Sequence, residues 1–234
     1  ILHGLQYLHP KFERLATAYF TGKSGVGLTL ANYPRQQGRG LKIGVIGLGV
    51  GTLAAWTLPG DTIRYYEINP AVERLARKYF TFLEKSQGRE EVILGDGRLV
   101  LEKEEPQHYD VLVVDAFIND SPPLHLLTKE SFQIYLKHLK PDGAIAFHIT
   151  SKYINFVPVI SALAEYFDYP WTTVIDFNRE DESFRTVSFW AILTRNGALQ
   201  ANEALAAASN QPVIPNRVPL WTDDYTSLFQ IVEW

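Results

Sequence analysis

Neither cysteine nor methionine occurs among the 234 residues of the chain. Without cysteine, no disulfide bond and no thiolate metal site can form. No apolar run approaches the roughly 18 residues that a membrane-spanning helix needs, so we expect no membrane contact from this chain itself. The missing methionine and the start at Ile1 predict that the chain is a fragment of a longer protein. Any signal or membrane segment would then lie outside it.

The chain also has little net charge. It carries 22 basic and 26 acidic residues, a net charge of −4, which gives no general affinity for nucleic acid or for anionic membranes. The six histidines lack the spacing of a metal site, so we expect no metal. A mildly acidic composition is compatible with cationic substrates. Because 46% of the residues are hydrophobic, the chain can bury the core of one large domain.

Short apolar runs alternate with amphipathic segments through most of the sequence. This alternation predicts a doubly wound, mostly parallel, seven-stranded Rossmann-like α/β sheet over 41–196. Residues 1–40 are expected to form a small β-rich segment, and 197–234 a helix and an extended tail that pack on the same domain. The predicted strands are 41–47, 62–67, 91–95, 109–115, 143–149, 171–177 and 184–194. Helices are predicted at 70–82, from the Thr128 cap to His138, and at 156–167.

A glycine-rich turn follows the first predicted strand. Gly47, Gly49 and Gly51 lead into 52–56, which is typical of the start of a helix. Such a turn lets a ligand approach the backbone at a helix N-terminus. Twenty positions after Gly47, the second predicted strand ends at Glu67, whose carboxylate can accept hydrogen bonds from both hydroxyls of a ribose. Together these features predict a nucleoside-bearing cofactor at the strand ends.

The spacing of the glycines indicates which class of nucleoside-bearing cofactor would bind. A dinucleotide-binding fingerprint has the form G-x-G-x-x-G, and Thr52 stands here where its third glycine would be. The observed G-x-G-x-G with a ribose-binding acid fits cofactors of the S-adenosylmethionine type better, because they carry no pyrophosphate.

Further acids end the next two predicted strands. Asp96, between Gly95 and Gly97, can accept a hydrogen bond from an adenine amino group, or it can cap a helix. Asp115 ends the fourth strand, and Asp120 follows in the loop. Two carboxylates at one strand end can hold an ammonium group, and one can take a proton from an attacking amine. The alternatives are a loop-anchoring hydrogen bond for Asp115 and ordinary turn chemistry for Asp120.

Three other features are weaker candidates. His125 either faces the pocket or has a structural role. His148 ends an apolar strand, a position more typical of a hydrogen-bonded core histidine. The acidic motif 222–225 either folds back over the site or forms a solvated turn.

In combination, these motifs resemble the spermidine/spermine synthase (polyamine aminopropyltransferase) family, a branch of the class I methyltransferase fold. The resemblance covers about residues 1–170 and is strongest to the spermidine-synthase-like branch often joined to membrane-spanning segments. The stretches that carry it are 2–6, Tyr19, 47–52, 66–70, 95–97, 115–117, 123–128 and 222–225.

The resemblance implies transfer of an aminopropyl group from decarboxylated S-adenosylmethionine to putrescine or another polyamine, without a metal. Methylthioadenosine would leave. It also implies a cytoplasmic location, a small-molecule amine partner and self-association into a homo-oligomer. Glu67 would bind the ribose, Asp96 with Gly97 the adenine, and Asp115 would orient and deprotonate the amine. The implied cofactor-binding residues are Gly47, Gly49, Gly51, Glu67, Asp96, Gly97 and Gln6, and the implied catalytic residues are Asp115, Asp120 and Tyr19.

The sequence departs from the family pattern at two places. Val50 stands where the synthases usually carry an acid that holds the propylamine cation of the donor. The second acid, Asp120, follows Asp115 by five positions rather than three. These departures leave two alternatives open. One is a methyltransferase that uses ordinary S-adenosylmethionine, and the other is a non-catalytic nucleoside-binding domain of a larger membrane protein.

Overall fold

The computed structural model describes residues 4–117, 121–177, 184–210, 214 and 216–232, which form an α/β fold around one sheet. The strands are β1 Lys42–Ile46, β2 Thr62–Glu67, β3 Arg89–Leu94, β4 Tyr109–Val114, β5 Leu139–His148, β6 Trp171–Asp176, β7 Ser188–Thr194 and β8 Ser209–Asn210. The helices are α1 Gly25–Asn32, α2 Pro70–Tyr79, α3 Gly97–Lys103, α4 Lys129–His138, α5 Val157–Tyr166, α6 Gly197–Gln200 and α7 Glu203–Ala208.

The order of the strands is β3-β2-β1-β4-β5-β7-β6-β8. The first five strands of the chain pair in parallel, whereas β7 is antiparallel to β5 and β6, and β8 is antiparallel to β6. The predicted doubly wound, mostly parallel sheet is therefore confirmed, with the two-residue β8 added to the seven expected strands. The chain runs from β1 outward to β3 and then returns to β4 on the other side of β1. This reversal puts the glycine turn at the switch point of the sheet, where ligands bind in such folds.

Both faces of the sheet are covered by helices. All six residues of β4 are buried, and its last four alternate between two hydrophobic clusters, as the two-residue period of a strand requires. Val111 and Val113 belong to the cluster that includes α1 residues. Leu112 and Val114 belong to the cluster that includes α4, α5 and tail residues. A strand buried on both faces fits a parallel sheet between helical layers.

Local capping explains where the helices next to the site begin. The Asn69 side chain accepts a hydrogen bond from the Ala71 N–H at 2.9 Å, and Pro70 occupies the first turn of α2. Thr128 and Ser131 form a reciprocal capping box at the start of α4, which ends at His138 as predicted. Both caps satisfy N–H groups that lack a partner in the first turn of a helix. Helix α2 ends at Tyr79, three residues before the predicted end.

The expected β-rich N-terminal segment is wrong. Its described part consists of turns and helix α1, apart from an isolated bridge between Ala18 and Arg185. Gly25 and Gly27 lie in this helix. A Cβ on Gly25 would come 2.5 Å from the Cβ of Trp190, so glycine at this position lets α1 pack closely on β7. The predicted helix after the glycine turn is also shorter than expected, since 52–56 form a 3₁₀ helix.

The described part of the C-terminal tail packs on the same sheet. Helix α7 contacts α1 and helix α6 contacts β7. Trp221 is fully buried, and the Asn155 N–H donates to the Ile231 carbonyl oxygen at 2.8 Å. The division of the chain at residues 40 and 196 stays a prediction. In the described ranges, no helix has the length and apolar character needed to cross a bilayer.

Candidate functional site

A cavity of about 470 Å³ lies at the carboxyl ends of the parallel strands β1, β2, β4 and β5. This volume is in the range of small-molecule sites. The cavity is mostly apolar, with a few polar groups that converge from different strand ends. The residues of interest that line it are Tyr19, Gly47, Gly49, Val50, Glu67, Asp96, Gly97, Asp115, Phe117, His125 and His148.

The glycine turn forms one wall because no side chain fits there. Gly47 has a φ of +97°, and a Cβ on it would lie 2.4 Å from the carbonyl oxygen of Asp115. A Cβ on Gly97 would lie 2.8 Å from the Cγ2 of Ile46. At these two positions the missing Cβ lets the glycine turn and the start of α3 pack closely on the neighbouring strands at the cavity wall. Gly51, by contrast, is not a lining residue, and its missing Cβ leaves room for Leu83.

Glu67 is buried at the end of β2 and is fixed by two backbone hydrogen bonds. Its Oε2 accepts the Leu48 N–H at 3.0 Å, and its Oε1 accepts the Asn69 N–H at 2.8 Å. Both hydrogen bonds hold the carboxylate in one orientation at the cavity wall. Each carboxylate oxygen has a second acceptor position, so the pair of oxygens can still receive the two hydroxyls of a ribose.

Asp96 caps α3, which is one of its two expected roles, and it also lines the cavity. Its Oδ1 accepts the Leu99 N–H at 3.0 Å. Its Oδ2 lies 3.3 Å from the Nε2 of His125, which faces the cavity. The capping bond fixes the side chain at the cavity wall, next to Gly97.

Asp115 and His148 form a hydrogen-bonded pair at the ends of the neighbouring strands β4 and β5. The Nδ1 of His148 lies 2.6 Å from the Oδ1 of Asp115, and its Nε2 lies 2.8 Å from the Oγ1 of Thr150. His148 is buried, as expected of a core histidine, but it also lines the cavity. Sequence reasoning missed this pairing. Both residues lie at the ends of successive predicted strands, but their pairing depends on the register of β4 with β5.

Tyr19 reaches the cavity from the turn before α1. Its ring centroid lies 5.0 Å from that of His148. Its carbonyl oxygen accepts the indole N–H of Trp190 at 3.2 Å. The N-terminal segment therefore closes the side of the cavity next to Asp115, although it contains none of the expected strands.

Besides Gly51, one further predicted cofactor-binding residue does not line the cavity. Gln6 is not among the lining residues, because its amide group is used elsewhere: it donates to the Thr81 Oγ1 at 2.8 Å and accepts the Thr81 N–H at 3.0 Å. This amide ties the N-terminal segment to the chain after α2. The second predicted catalytic acid, Asp120, lies outside the described residues.

The acidic C-terminal motif, 222–225, contacts residues at the edge of the cavity and is not among those that line it. Arg98 donates through both terminal nitrogens to the carboxylate of Asp223, and Thr128 Oγ1 donates to the Asp223 Oδ1 at 2.9 Å. The hydrogen bond from Arg98 holds the pKa of Asp223 below its usual range. Arg98 also donates to the carbonyl oxygen of His125 at 2.9 Å. The motif thus fixes a loop that lines the site.

The charged groups in the cavity wall are acidic. Glu67, Asp96 and Asp115 line it, and no lysine or arginine is found among its described lining residues. Such a wall attracts a cation, and the described lining residues offer no lysine or arginine to a phosphate or carboxylate group. Within the described ranges, no three His, Asp or Glu side chains are grouped so as to hold a metal ion. The site is therefore suited to an organic ligand with an apolar body and a positive charge.

No protein-family model matches the chain. Its sequence is 27% identical over 161 residues to putrescine N-methyltransferase 3 from Nicotiana tabacum, covering 64% of this chain and 41% of that protein. It is 29% identical over 148 residues to the polyamine aminopropyltransferase of Vibrio vulnificus, covering 60% of this chain and 46% of that protein. The matched regions thus span less than half of each relative, and both relatives are transferases by name.

Solved structures of spermidine synthases share the fold. The Thermotoga maritima spermidine synthase superposes with a TM-score of 0.56 at 16% identity, covering 79% of this chain and 69% of that one. A probable spermidine synthase from Corynebacterium glutamicum superposes with a TM-score of 0.51 at 21% identity, covering 66% of this chain and 55% of that one. The chain thus has the class I methyltransferase fold, and the resemblance of its sequence to the spermidine synthase family is confirmed.

Proposed function

We propose that the chain is a spermidine-synthase-like aminopropyltransferase. It moves an aminopropyl group from decarboxylated S-adenosylmethionine to putrescine or another polyamine. The observation that carries this proposal is the position of Asp115 at the cavity, where His148 holds its carboxylate. The other acidic residues that line the cavity are Glu67 and Asp96.

The donor fits the side of the cavity formed by β1 and β2. Gly47 and Gly97 line this side of the cavity, next to Glu67 and Asp96. Glu67 keeps acceptor positions for the ribose hydroxyls, and Asp96 offers an acceptor for the adenine amino group. Decarboxylated S-adenosylmethionine carries positive charges on sulfur and nitrogen and no carboxylate. The acidic wall therefore favours it over ordinary S-adenosylmethionine, whose carboxylate would meet no basic side chain among the described lining residues.

The acceptor amine fits beside Asp115. A polyamine is protonated in solution, and an ammonium nitrogen has no electron pair with which to attack. Asp115 binds the ammonium group and accepts a proton from it. The freed amine nitrogen then attacks the propyl carbon next to the sulfonium. The new C–N bond forms as the C–S bond breaks, methylthioadenosine leaves with the electron pair, and the product nitrogen becomes a cation. Tyr19 and Phe117 provide apolar contact for the methylene chain.

The comparisons support an amine acceptor of this class. The names of the two sequence relatives refer to putrescine and to polyamines. They differ in the group transferred, which is a methyl group in one name and an aminopropyl group in the other. An amine acceptor is common to both reactions, so the choice between them depends on the donor.

Methyl transfer from ordinary S-adenosylmethionine is the second candidate, and Val50 is the observation that favours it. Val50 lines the cavity and packs against Gly4: a Cβ on Gly4 would lie 2.2 Å from the Cγ2 of Val50. A valine offers no charge to the aminopropyl end of a decarboxylated donor. It also removes a repulsion against the carboxylate of the ordinary donor.

Product analysis tests the proposal. The chain is incubated with putrescine and one of the two donors, and the products are separated and identified by mass spectrometry. We expect spermidine and methylthioadenosine from the decarboxylated donor, and a turnover about 10²-fold or more lower in Asp115→Asn, the usual scale for a lost acid–base group. Methylated putrescine from the ordinary donor, with no aminopropylated product from the other, would replace the first candidate with the second.

A further inference from the structure

We propose that His148 is a positioning residue for Asp115, which it holds so that one carboxylate oxygen is presented to the acceptor amine. The Nδ1–H of His148 donates to Oδ1 of Asp115, and Oδ2 is left for the substrate. This inference rests on the proposed function, and it gives a chemical role to a histidine whose sequence position is typical of a core residue.

The sheet itself brings the two residues together. In the parallel pairing of β4 with β5, Val114 is in register with Phe147. The next residues along the two strands are Asp115 and His148, so they stand side by side at the carboxyl edge of the sheet. The distance of 2.6 Å between His148 Nδ1 and Asp115 Oδ1 therefore follows from strand register, and no flexible loop needs to be ordered to form it.

The surrounding hydrogen bonds assign the protonated ring nitrogen. The Phe189 N–H donates to Thr150 Oγ1 at 2.8 Å, so the Thr150 hydroxyl has its own proton left to donate. Nε2 of His148, at 2.8 Å, is a nearer acceptor for that proton than the Phe189 carbonyl oxygen at 3.5 Å. Nε2 then accepts from Thr150, and Nδ1, which lies 2.6 Å from an oxygen of the Asp115 carboxylate, carries the proton. That proton points at Asp115.

Ring packing fixes the imidazole in this orientation. His148 stacks on Trp190 with ring centroids 4.3 Å apart and planes 6° from parallel. The ring of Phe117 lies against it edge-on at 4.8 Å, and that of Tyr19 lies at 5.0 Å. A buried ring held on three sides cannot turn without breaking these contacts. Its N–H group therefore restrains the carboxylate to a narrow range of positions.

The other oxygen of Asp115 is accessible to a ligand. Its side chain is 12% exposed and lines the cavity. Within the part of the chain that the structure describes, Oδ1 of Asp115 accepts a hydrogen bond from Nδ1 of His148, and Oδ2 has no protein partner. A carboxylate with one oxygen fixed and the other presented to the cavity suits a base that must meet an amine in a defined direction.

Paired substitutions of His148 test this role. His148→Leu removes the N–H donor, and we expect kcat to fall roughly tenfold or more, since loss of alignment costs rate, with the KM for the donor unchanged. His148→Asn places an amide N–H near the position of Nδ1, and we expect it to restore most of kcat. Wild-type kcat in His148→Leu, or no rescue by His148→Asn in a folded protein, would overturn the proposal.

His138→Leu is the matched control. His138 is also fully buried, but its Nδ1 accepts the Gln107 N–H at 3.3 Å, at the end of α4 and away from the cavity. Thermal unfolding of both leucine variants measures any loss of folding. We expect His138→Leu to keep wild-type kcat, because His138 lies away from the cavity and altered packing around it does not displace the residues of the site.

A spectroscopic measurement separates this inference from the proposed function. Long-range ¹⁵N–¹H correlation spectra of ¹⁵N-histidine-labelled protein identify which ring nitrogen carries the proton, and His148→Asn assigns the resonance. We expect a protonated Nδ1 whose shift changes in Asp115→Asn. If no donor and amine pair is turned over at all, the proposed function fails, and these spectra still decide the pairing. A protonated Nε2 in a neutral ring would overturn it.

Discussion

Arg98 and Asp223 stand 125 positions apart in the sequence and form a two-pronged ion pair at the rim of the cavity, with Nη1 2.7 Å from Oδ1. The pair joins the start of α3 to the C-terminal tail. Arg98 also donates to the carbonyl oxygen of His125, a lining residue. The tail thus supports the site from outside, without contributing a group to the cavity.

Removal of this ion pair is expected to loosen the rim. In Asp223→Ala, we predict that the KM for the donor rises a few-fold while kcat changes little, because a half-exposed ion pair contributes up to about 1 kcal/mol. Steady-state kinetics measure both constants. The neighbouring exposed carboxylate gives the control, since Asp224→Ala should behave as wild type. Equal effects of the two substitutions would argue against a specific rim contact.

Glu67 is predicted to control donor affinity. A Glu67→Gln side chain must turn its NH₂ group toward either the Leu48 N–H or the Asn69 N–H, so one donor faces another. We expect the affinity for methylthioadenosine to fall at least tenfold, about 1.4 kcal/mol, by calorimetric titration. Glu73→Gln, on the outer part of α2, is the charge-matched control and should bind as wild type. Unchanged binding in Glu67→Gln would remove this residue from the ribose site.

The glycine turn is expected to tolerate no side chain. In Gly47→Ala, a positive φ of +97° is combined with a contact 2.4 Å from the Asp115 carbonyl oxygen. We predict a loss of about 2 kcal/mol or more in the free energy of unfolding. Gly38→Ala is the control, because Gly38 has a φ of +77° and a Cβ added there would meet nothing within 4 Å. Both variants carry the strain of a positive φ, but only Gly47→Ala adds the steric clash. Denaturant titration measures the free energy of unfolding of each variant. An equal loss of stability in the two would show that the clash at Gly47 is relieved and would contradict this prediction.

His138 is predicted to make stability depend on pH. Burial lowers its pKa. As the pH falls below the ordinary value of about 6.5, the unfolded chain therefore binds the proton more readily than the folded one. The free energy of unfolding then decreases with falling pH. In His138→Asn, the difference in stability between about pH 7.5 and 5.5 should be smaller than in wild type, whereas the exposed His9→Asn should keep the wild-type difference. If His138→Asn lost more stability than wild type over this pH range, the result would contradict the prediction.

The features that sequence reasoning predicted depend on short stretches of chain. The glycines after β1, the acid at the end of β2 and the caps at Asn69 and Thr128 each act on neighbouring residues. Their patterns are therefore visible locally. Because parallel strands share one carboxyl edge, the position of Glu67 and Asp115 at a common cavity also followed from the alternation of strands and helices.

The features that were missed depend on contacts between distant parts of the chain. The pairing of Asp115 with His148 needs the register of β4 and β5. Gln6 was assigned to the cofactor, but its amide binds Thr81, 75 positions away. A β-rich segment was expected where α1 forms, and Gly25 serves the close packing of this helix on Trp190. Such contacts have no local signal, since the partner residue is defined only by the folded topology.

Calorimetric titration of the chain with decarboxylated and with ordinary S-adenosylmethionine tests the central claim most directly. The two ligands differ by one carboxylate, which would lie in a cavity walled by Glu67, Asp96 and Asp115. Aminopropyl transfer predicts that the decarboxylated form binds about tenfold more tightly, the effect of one unfavourable charge contact of about 1.4 kcal/mol. Tighter binding of ordinary S-adenosylmethionine would contradict the account and favour methyl transfer.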